Sequence, residues 1–581
     1  MIIVIILVFL IGARLIRNWN KRLFYWLSLG AITAIVIAPL LSLSTRLFQL
    51  EGFSLYPLSI PADLRLVLSH VFSVTLPAVL SSTAILVIGV ALGVLLLGTL
   101  LAWWIEMYEF PGRRQLAWLL WMPLAMPAYV LAFVWVGLLD YSGVIQSAWR
   151  DYFSATPALA NLNWPAIRSR GGAIFVMSLS LYPYVYGLAR QAFASQGSRL
   201  LEVCQSLGSS PQQTFWRVAL PMAKPWLIAA MLLVVMETLA DYGTMYVMSV
   251  DTFTTAIYKS WFALFSFEAA VILALILMVS AFVLVIVLQR SQQEMDQRHE
   301  FNAMGRNHLT NHQKRLVLSK PAQYVMSAIC ILVLCLAFVL PLGQLLFWIY
   351  SEIKTSDAWQ SIVSYTWHSV LLAALSACLI TCVAVVLSSL QTKKLPNSLQ
   401  NPLEKTSRFM LTRLALMGYA MPGAVMAVGV FVIQDLLKKT LGESSLLGWM
   451  NLTLLGMMIA YLARFLAVAY HPIESAQLRI SSSIDEAARS LGTTPWQRLR
   501  FIRLPLLRPA LISALIMVWI DVIKEMPITL MTRPFGWDGL SIRIFELTSE
   551  GLWQKAALPA TCLVLLAAIP IWWLARQKNT D

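Results

Sequence analysis

The chain has 581 residues, of which 59% are hydrophobic and 12% charged, and its formal net charge is +15. Soluble proteins carry about a quarter charged residues, so this composition, with a mean hydropathy of +0.72, excludes an ordinary soluble globule and points to a chain solvated mainly by lipid. It also excludes nucleic acid as the partner of the excess charge, because the basic residues sit in short loops between apolar spans and not on a soluble domain.

In chain order, Met1–Gly12 is apolar but has no basic start and no small-residue cleavage pattern. Residues 1–22 therefore read as a retained segment, either a short extra span or a helix lying against the others. Six spans are predicted near 23–45, 76–104, 116–139, 172–192, 222–246 and 268–289. The polar stretch 290–321 reads as a linker. Six more spans follow near 322–348, 367–391, 410–433, 452–472, 508–530 and 556–575. The expected architecture is all-α and polytopic, with two tandem six-helix units, 23–289 and 322–581, about twelve spans and a possible extra one at the start. Placing Lys21 and Arg22 in the cytoplasm and alternating sides puts most of the 43 lysines and arginines, the linker and the C-terminal tail inside. No cysteine falls in a predicted external loop, so no disulfide is expected, and Cys378 and Cys382, one helical turn apart, read as packed thiols.

The chain repeats itself at an offset of 284 residues, without a gap. Glu202 falls on Glu486, Gly208 on Gly492, Pro211 on Pro495, Gln213 on Gln497, Pro221 on Pro505 and Pro225 on Pro509; Ser206-Leu207 falls on Ser490-Leu491. Six spans, an even number, separate the copies, so both loops face the same side and the repeat is parallel, with a pseudo-two-fold axis along the membrane normal. Each loop reads as a short helix ended by a glycine, a second helix begun by Pro211 or Pro495, and a break at Pro221 or Pro505 before the next span. Glu486, Arg489, Arg498, Arg500 and Arg503 give the second copy a charged face that excludes burial in lipid. Fixed Gly and Pro spacing in two copies is more than a connecting loop requires. One dock per half implies two copies of a docked partner, or a symmetric dimer.

Glu486-Ala487-Ala488, then Gly492, then Leu504-Pro505 resembles the EAA loop of binding-protein-dependent ABC importer permeases. The first copy is similar but keeps only Glu202 and Gly208, with Val203-Cys204 in place of the two alanines. The resemblance covers nearly the whole chain, as a fused permease of the type I importer fold. It implies that Glu202, Gly208, Pro211, Pro221, Glu486, Ala487, Ala488, Gly492, Pro495 and Pro505 form two coupling loops of unequal quality for two ABC ATPase subunits. It further implies a periplasmic binding protein as partner and a multi-pass location in the bacterial inner membrane. Ala240-Asp241-Tyr242-Gly243 leading to Asp251-Thr252-Phe253-Thr254-Thr255 resembles the iron(III) permeases, as does Asp521–Pro527 leading to Arg533-Pro534-Phe535-Gly536. Fused permeases for thiamine, 2-aminoethylphosphonate and other small solutes share much of this pattern.

The repeat continues into the span after each loop. Glu237 falls on Asp521 and Asp241 on Glu525, so each copy carries two carboxylates at i, i+4 on one helical face. Charge inside a span usually faces a polar cavity or a partner. The four carboxylates are candidates for the lining of a translocation path, where their oxygens suit a hard cation such as iron(III). The structural alternative is that Lys524 neutralises Asp521 or Glu525 and that Asp241 caps a helix. Met126-Pro127 and Met421-Pro422, in comparable spans, read as packing kinks, and Tyr182-Pro183-Tyr184 is similar. His70, His368 and His471 are isolated, so no metal site is assigned.

The sequence has no G-x-x-x-x-G-K-[ST] loop, so ATP is expected on a separate subunit and no cofactor on this chain. The external loops hold no cluster of nucleophile, base and metal ligands, which excludes an enzyme. A secondary transporter driven by an ion gradient is the competing class. It would be repeated and polytopic too, but would have no need of large cytoplasmic loops of fixed geometry.

Overall fold

A computed structural model describes residues 21–49, 69–156, 164–303, 315–352, 358–392, 402–441 and 454–577. The expected extra N-terminal span falls outside them. The protein is an all-α polytopic membrane protein. Among the described residues 11 helices are long and apolar enough to cross a membrane, or 12 if the bent pair Met410–Ala420 and Gly423–Asp435 is one span.

The main helices are α1 (Lys21–Gln49), α2 (Leu76–Met107), α3 (Ala128–Leu139), α4 (Arg170–Ser206), α5 (Leu220–Ala240), α6 (Phe267–Ala303), α7 (Lys320–Leu334) and α8 (Leu340–Glu352). Then come α9 (Ala358–Thr392), α10 (Pro402–Leu416), α11 (Gly423–Leu441), α12 (Leu455–Arg479), α13 (Leu504–Lys524) and α14 (Trp553–Gln577). A two-residue strand, β1 (Tyr108–Glu109), pairs in parallel with β2 (Leu316–Val317). Within the stretch read as a linker, α6 runs on to Ala303 and β2 pairs with β1.

The compact units cut across the two sequence copies, 23–289 and 322–581. One unit takes its described residues from Met1–Ile60 and Trp367–Gly539, the other from Pro61–Thr366 and Leu540–Asp581. In the first, α1 leaves its own copy and packs on α10, α11 and α12. The Ser42 hydroxyl donates to the Gly429 carbonyl at 2.8 Å across that seam. In the second, α8 of the later copy packs on α3 and on α14. Repetition in sequence carries no information about such an exchange, because an exchanged first helix buries the same kind of face as an unexchanged one.

Lipid offers helices no hydrophobic drive to associate, so close approach of backbones matters more than in water. In the second unit Gly89, Gly93 and Gly98 of α2 face α4. A Cβ at Gly93 would lie 2.2 Å from the Ser178 hydroxyl, and one at Gly98 would lie 2.6 Å from the Val185 Cβ and 2.8 Å from the Tyr186 amide nitrogen.

The second expected difference concerns the prolines. Pro221 and Pro505 do not break their helices. Pro211–Ala240 forms a single helical run, in which a π turn at Phe215–Ala219 precedes Leu220-Pro221. The same turn, Leu499–Arg503, precedes Leu504-Pro505, and others precede Leu76-Pro77 and Leu340-Pro341. A proline ring clashes with the carbonyl four residues back and supplies no N–H. Widening the preceding turn to i→i+5 removes that conflict, and the helix continues.

The true breaks lie elsewhere. The predicted span 116–139 is a short helix Arg113–Leu119, a 3₁₀ turn Met122–Ala125 and then α3, with Met126 extended ahead of Pro127. Its counterpart bends by 114° between Ala420 and Gly423. Met126-Pro127 and Met421-Pro422 are therefore chain breaks and not kinks, because the residue before proline is pushed into extended geometry. The spans read as 222–246 and 508–530 also stop early, at Ala240 and Lys524.

Gly98→Val is expected to lower the stability of the purified protein by about 1–3 kcal/mol through overpacking against α4. Gly343→Ala, with open space around it, is expected to be neutral. Thermal unfolding in detergent compares them; equal midpoints contradict the packing account.

Candidate functional site

The two repeated joints share a glycine closure and a capping box, but in the first copy the glycine ends the long helix α4 (Arg170–Ser206), not the short helix expected, while in the second it ends the separate helix Ser482–Ser490. In the first copy Gly208 has φ +77°, the Ser209 N–H donates to the Cys204 carbonyl at 2.9 Å, and the Leu207 N–H to the Val203 carbonyl at 3.1 Å. In the second Gly492 has φ +74°, with Thr493 N–H to Ala488 carbonyl and Leu491 N–H to Ala487 carbonyl, both at 3.2 Å. A left-handed residue with a bond reaching back five positions closes the end of a helix, and glycine adopts it without strain.

The next helix starts on a capping box in each copy. Ser210 Oγ accepts the Gln213 N–H at 3.3 Å while Gln213 Oε1 accepts the Ser210 N–H at 3.0 Å. Thr494 Oγ1 accepts the Gln497 N–H at 3.3 Å while Gln497 Oε1 accepts the Thr494 N–H at 2.8 Å. Pro211 occupies the first helical turn, as does Pro495. The repeated glutamine was legible in the sequence; its partners Ser210 and Thr494 were legible as an S/T-x-x-Q box but were missed.

The joints present apolar tips. Leu207 is 79% exposed and Leu491 82%. Neither was counted among the site residues, although both sit beside the glycine in the repeat. Glu486 and Ala487 face outward, whereas Ala488 and its counterpart Cys204 are buried. The side chains of Glu202 and Pro495 lie outside the described residues. In the first copy Phe215 is buried against Trp103, ring centres 5.1 Å apart, and Trp103 against Phe193 at 5.2 Å. This aromatic group fixes the first joint to α2 and α4.

At its other end, each helical run stops at a carboxylate. Asp241 Oδ1 accepts the Thr244 N–H at 2.7 Å and Oδ2 accepts the Thr244 hydroxyl at 2.9 Å, which caps the short helix Gly243–Val247. Glu525 Oε1 accepts the Ile528 N–H at 3.3 Å at the start of Pro527–Thr532. Its oxygen also lies 3.7 Å from Arg464 Nη1 of α12, both side chains being buried. A Cβ on Gly423 would come within 2.4 Å of that Glu525 oxygen, so the glycine makes room for the pair. Beside Glu525 thus stands Arg464, an arginine inside an apolar span whose charge was a signal legible in the sequence but passed over. Glu237 and Asp521, one turn earlier, are half-buried on α5 and α13.

Beyond Asp241, Tyr242 packs on Tyr258 and Phe545 with ring centres 4.9 and 5.7 Å apart. Asp251 pairs with Lys259, and Arg533 with Asp538. The His368 ring stacks on Trp537, and His471 Nδ1 lies 3.9 Å from Glu474. Among the described residues no group of three or more His, Cys, Asp or Glu is arranged to hold a metal. Tyr182 and Tyr186 use their hydroxyls to bond the Leu120 and Ala117 carbonyls at 3.0 and 2.9 Å, beside the 3₁₀ turn.

Breaking the buried pair from one side, by Arg464→Leu, is expected to cost about 3–5 kcal/mol. Glu525→Gln in the same chain should recover part of it. A double-mutant cycle on thermal unfolding reads the coupling, and strictly additive losses would show that the pair is not an energetic unit.

A family profile described as "binding-protein-dependent transport system inner membrane component" matches the chain twice, over residues 94–297 and 401–577. The Fe(3+)-transport system permease protein FbpB 2 of Haemophilus influenzae is 25% identical over 501 residues, covering 86% of this chain and 89% of that protein. The probable ABC transporter permease protein y4fN of Sinorhizobium fredii is 23% identical over 565 residues, 95% of each chain. The putative 2-aminoethylphosphonate transport system permease protein PhnV of Salmonella typhimurium is 36% identical over 130 residues, 22% of this chain and 48% of that protein.

Proposed function

The chain belongs to the inner membrane components of binding-protein-dependent transport systems, and from that premise we propose that it is the fused permease of an ABC importer for iron(III), driven by two ATPase subunits. Family membership makes it a non-enzymatic, multi-pass inner membrane protein that works with an ATPase and a substrate-binding protein. ATP binds to the ATPase. The observation that carries the docking role is the duplicated joint, closed by glycine and by a capping box in both copies and tipped by an exposed leucine.

The joints suit mechanical coupling. Each is continuous with a helical run, Pro211–Ala240 in the first copy, that ends at a carboxylate-capped break. A 30-residue helix is about 45 Å long and stiff. Movement of a joint when the ATPase pair closes is therefore delivered to the Asp241 or Glu525 end without loss in a flexible loop. Rocking of this kind gives alternating access and needs no ion gradient, which separates the reading from a secondary transporter.

Iron(III) as cargo is supported by the relative that spans both copies and whose name carries that substrate. A second reading, 2-aminoethylphosphonate or another small solute, is favoured by the higher identity to PhnV over a shorter stretch. Uptake of labelled iron(III) by cells lacking their own importer, supplied with this chain, its ATPase and its binding protein, tests the choice. ATP-dependent iron accumulation is expected. Growth on 2-aminoethylphosphonate as the phosphorus source, without iron uptake, would transfer the chain to the second class.

The carboxylates divide by role. Glu237→Ala and Asp521→Ala are expected to reduce uptake at least about tenfold with expression intact, as path-lining groups do. Asp241→Ala and Glu525→Ala are expected to lower thermal stability as well, because they remove helix caps. Normal uptake in both of the first two variants would remove the pathway role.

A further inference from the structure

The second joint differs from the first in a feature that docking by its apolar tip leaves unused. Residues 487–520 contain five arginines and no acidic residue, whereas the aligned residues 203–236 contain one arginine and one lysine. Four of the five, Arg498, Arg500, Arg503 and Arg508, lie where the chain enters the span Arg500–Lys524. Arg500 and Arg508 are exposed, and Arg498 and Arg503 half-buried. The Arg500 guanidinium lies 5.5 Å from the centre of the Phe501 ring, and that ring is 68% exposed.

Phe501, Pro505, Arg508 and Ile512 follow one another at helical spacing and all four are exposed. One exposed face thus runs from an apolar residue well inside the span to a cation and an aromatic ring at its cytoplasmic mouth. An arginine in the first turns of a span extends its charge to the headgroup layer while its stem stays among acyl chains. Aromatic rings favour the same depth. Residues 487–520 contain no carboxylate, and the guanidinium groups of the exposed Arg500 and Arg508 match phosphate geometry.

We infer that this face binds the phosphate of an anionic phospholipid headgroup in the cytoplasmic leaflet. The four arginines align with Thr214, Trp216, Ala219 and Lys224, and the first copy carries exposed Arg217 and Lys224 beside an exposed Trp216, two cations where the second copy has four. The richer set of arginines therefore makes the lipid contact stronger beside the second coupling joint than beside the first. The leucine tip and Arg489 remain on the part of the joint that faces the ATPase.

The test uses the full chain in nanodiscs made from phosphatidylglycerol and phosphatidylcholine, followed by delipidation and native mass spectrometry of the lipids retained. A preference for phosphatidylglycerol is expected, with each arginine near the headgroups contributing about fivefold. Arg500→Gln with Arg508→Gln should lower that preference, and Lys224→Gln should lower it less. Elution of the variants as wild type in size exclusion establishes that they are folded. An unchanged preference in the double variant overturns the inference. So does loss of ATPase binding by that variant in pure phosphatidylcholine with its lipid preference intact, which would assign the arginines to the ATPase. Excess inorganic phosphate at constant ionic strength should leave the retained lipid in place, and its displacement would likewise contradict a headgroup site.

Discussion

A backbone polar group without a partner costs several kcal/mol in the hydrocarbon of a bilayer, and the span prolines and the helix ends after Ala240 and Lys524 are arranged around that cost. Where proline interrupts a span near its cytoplasmic entry, the turn ahead of it widens and the helix persists, as at Phe215–Ala219 and Leu499–Arg503. Where the helix does stop, after Ala240 and Lys524, a carboxylate accepts an N–H of the next short helix. At the joints, glycine in the left-handed region lets the helix close on its own carbonyls. These solutions are local, so they were duplicated along with the sequence. They leave in each copy the same part: a closed joint, a long rigid run and a capped break.

The copies diverge in what surrounds that part. The first joint is held by Phe215, Trp103 and Phe193, an apolar anchorage. The second carries exposed and half-buried arginines instead. The breaks diverge too. Asp241 is satisfied by one threonine, whereas Glu525 also stands opposite Arg464, in space kept open by Gly423. A pair of buried charges is seldom a gain in stability over apolar packing, but it is costly to split. Glu525 is therefore better described as a fixed point of the second copy than as a free ligand for a cation. Asp521 and Glu237 are the carboxylates that the path reading retains.

Much of this was legible in the residues. The offset of 284, the glycine spacing and the Glu486-Ala487-Ala488 signature specify where the joints lie and how glycine closes them, because these depend on bonds between near neighbours, whereas the continuation of the helix through Pro221 and Pro505 was not legible. The division into twelve spans was legible for the same reason: hydropathy is a local property. Three features were not. The exchange of α1 and α8 between compact units depends on which apolar face meets which, and apolar faces are interchangeable in sequence. The 114° bend at Met421-Pro422 looks like any proline in a span until the neighbouring backbone is seen. The proximity of Arg464 to Glu525 joins residues on different helices, and no spacing rule points from one to the other.

The account stands on two joints acting as two docks, and counting partners tests it most directly. Native mass spectrometry of the purified chain with its ATPase subunit, with nucleotide held in the closed state, should find two ATPase subunits per chain. With Leu491→Asp, which places a charge on the exposed tip of the second joint, it should find one. A wild-type complex with a single ATPase, or two still bound after that substitution together with Leu207→Asp, would contradict the account.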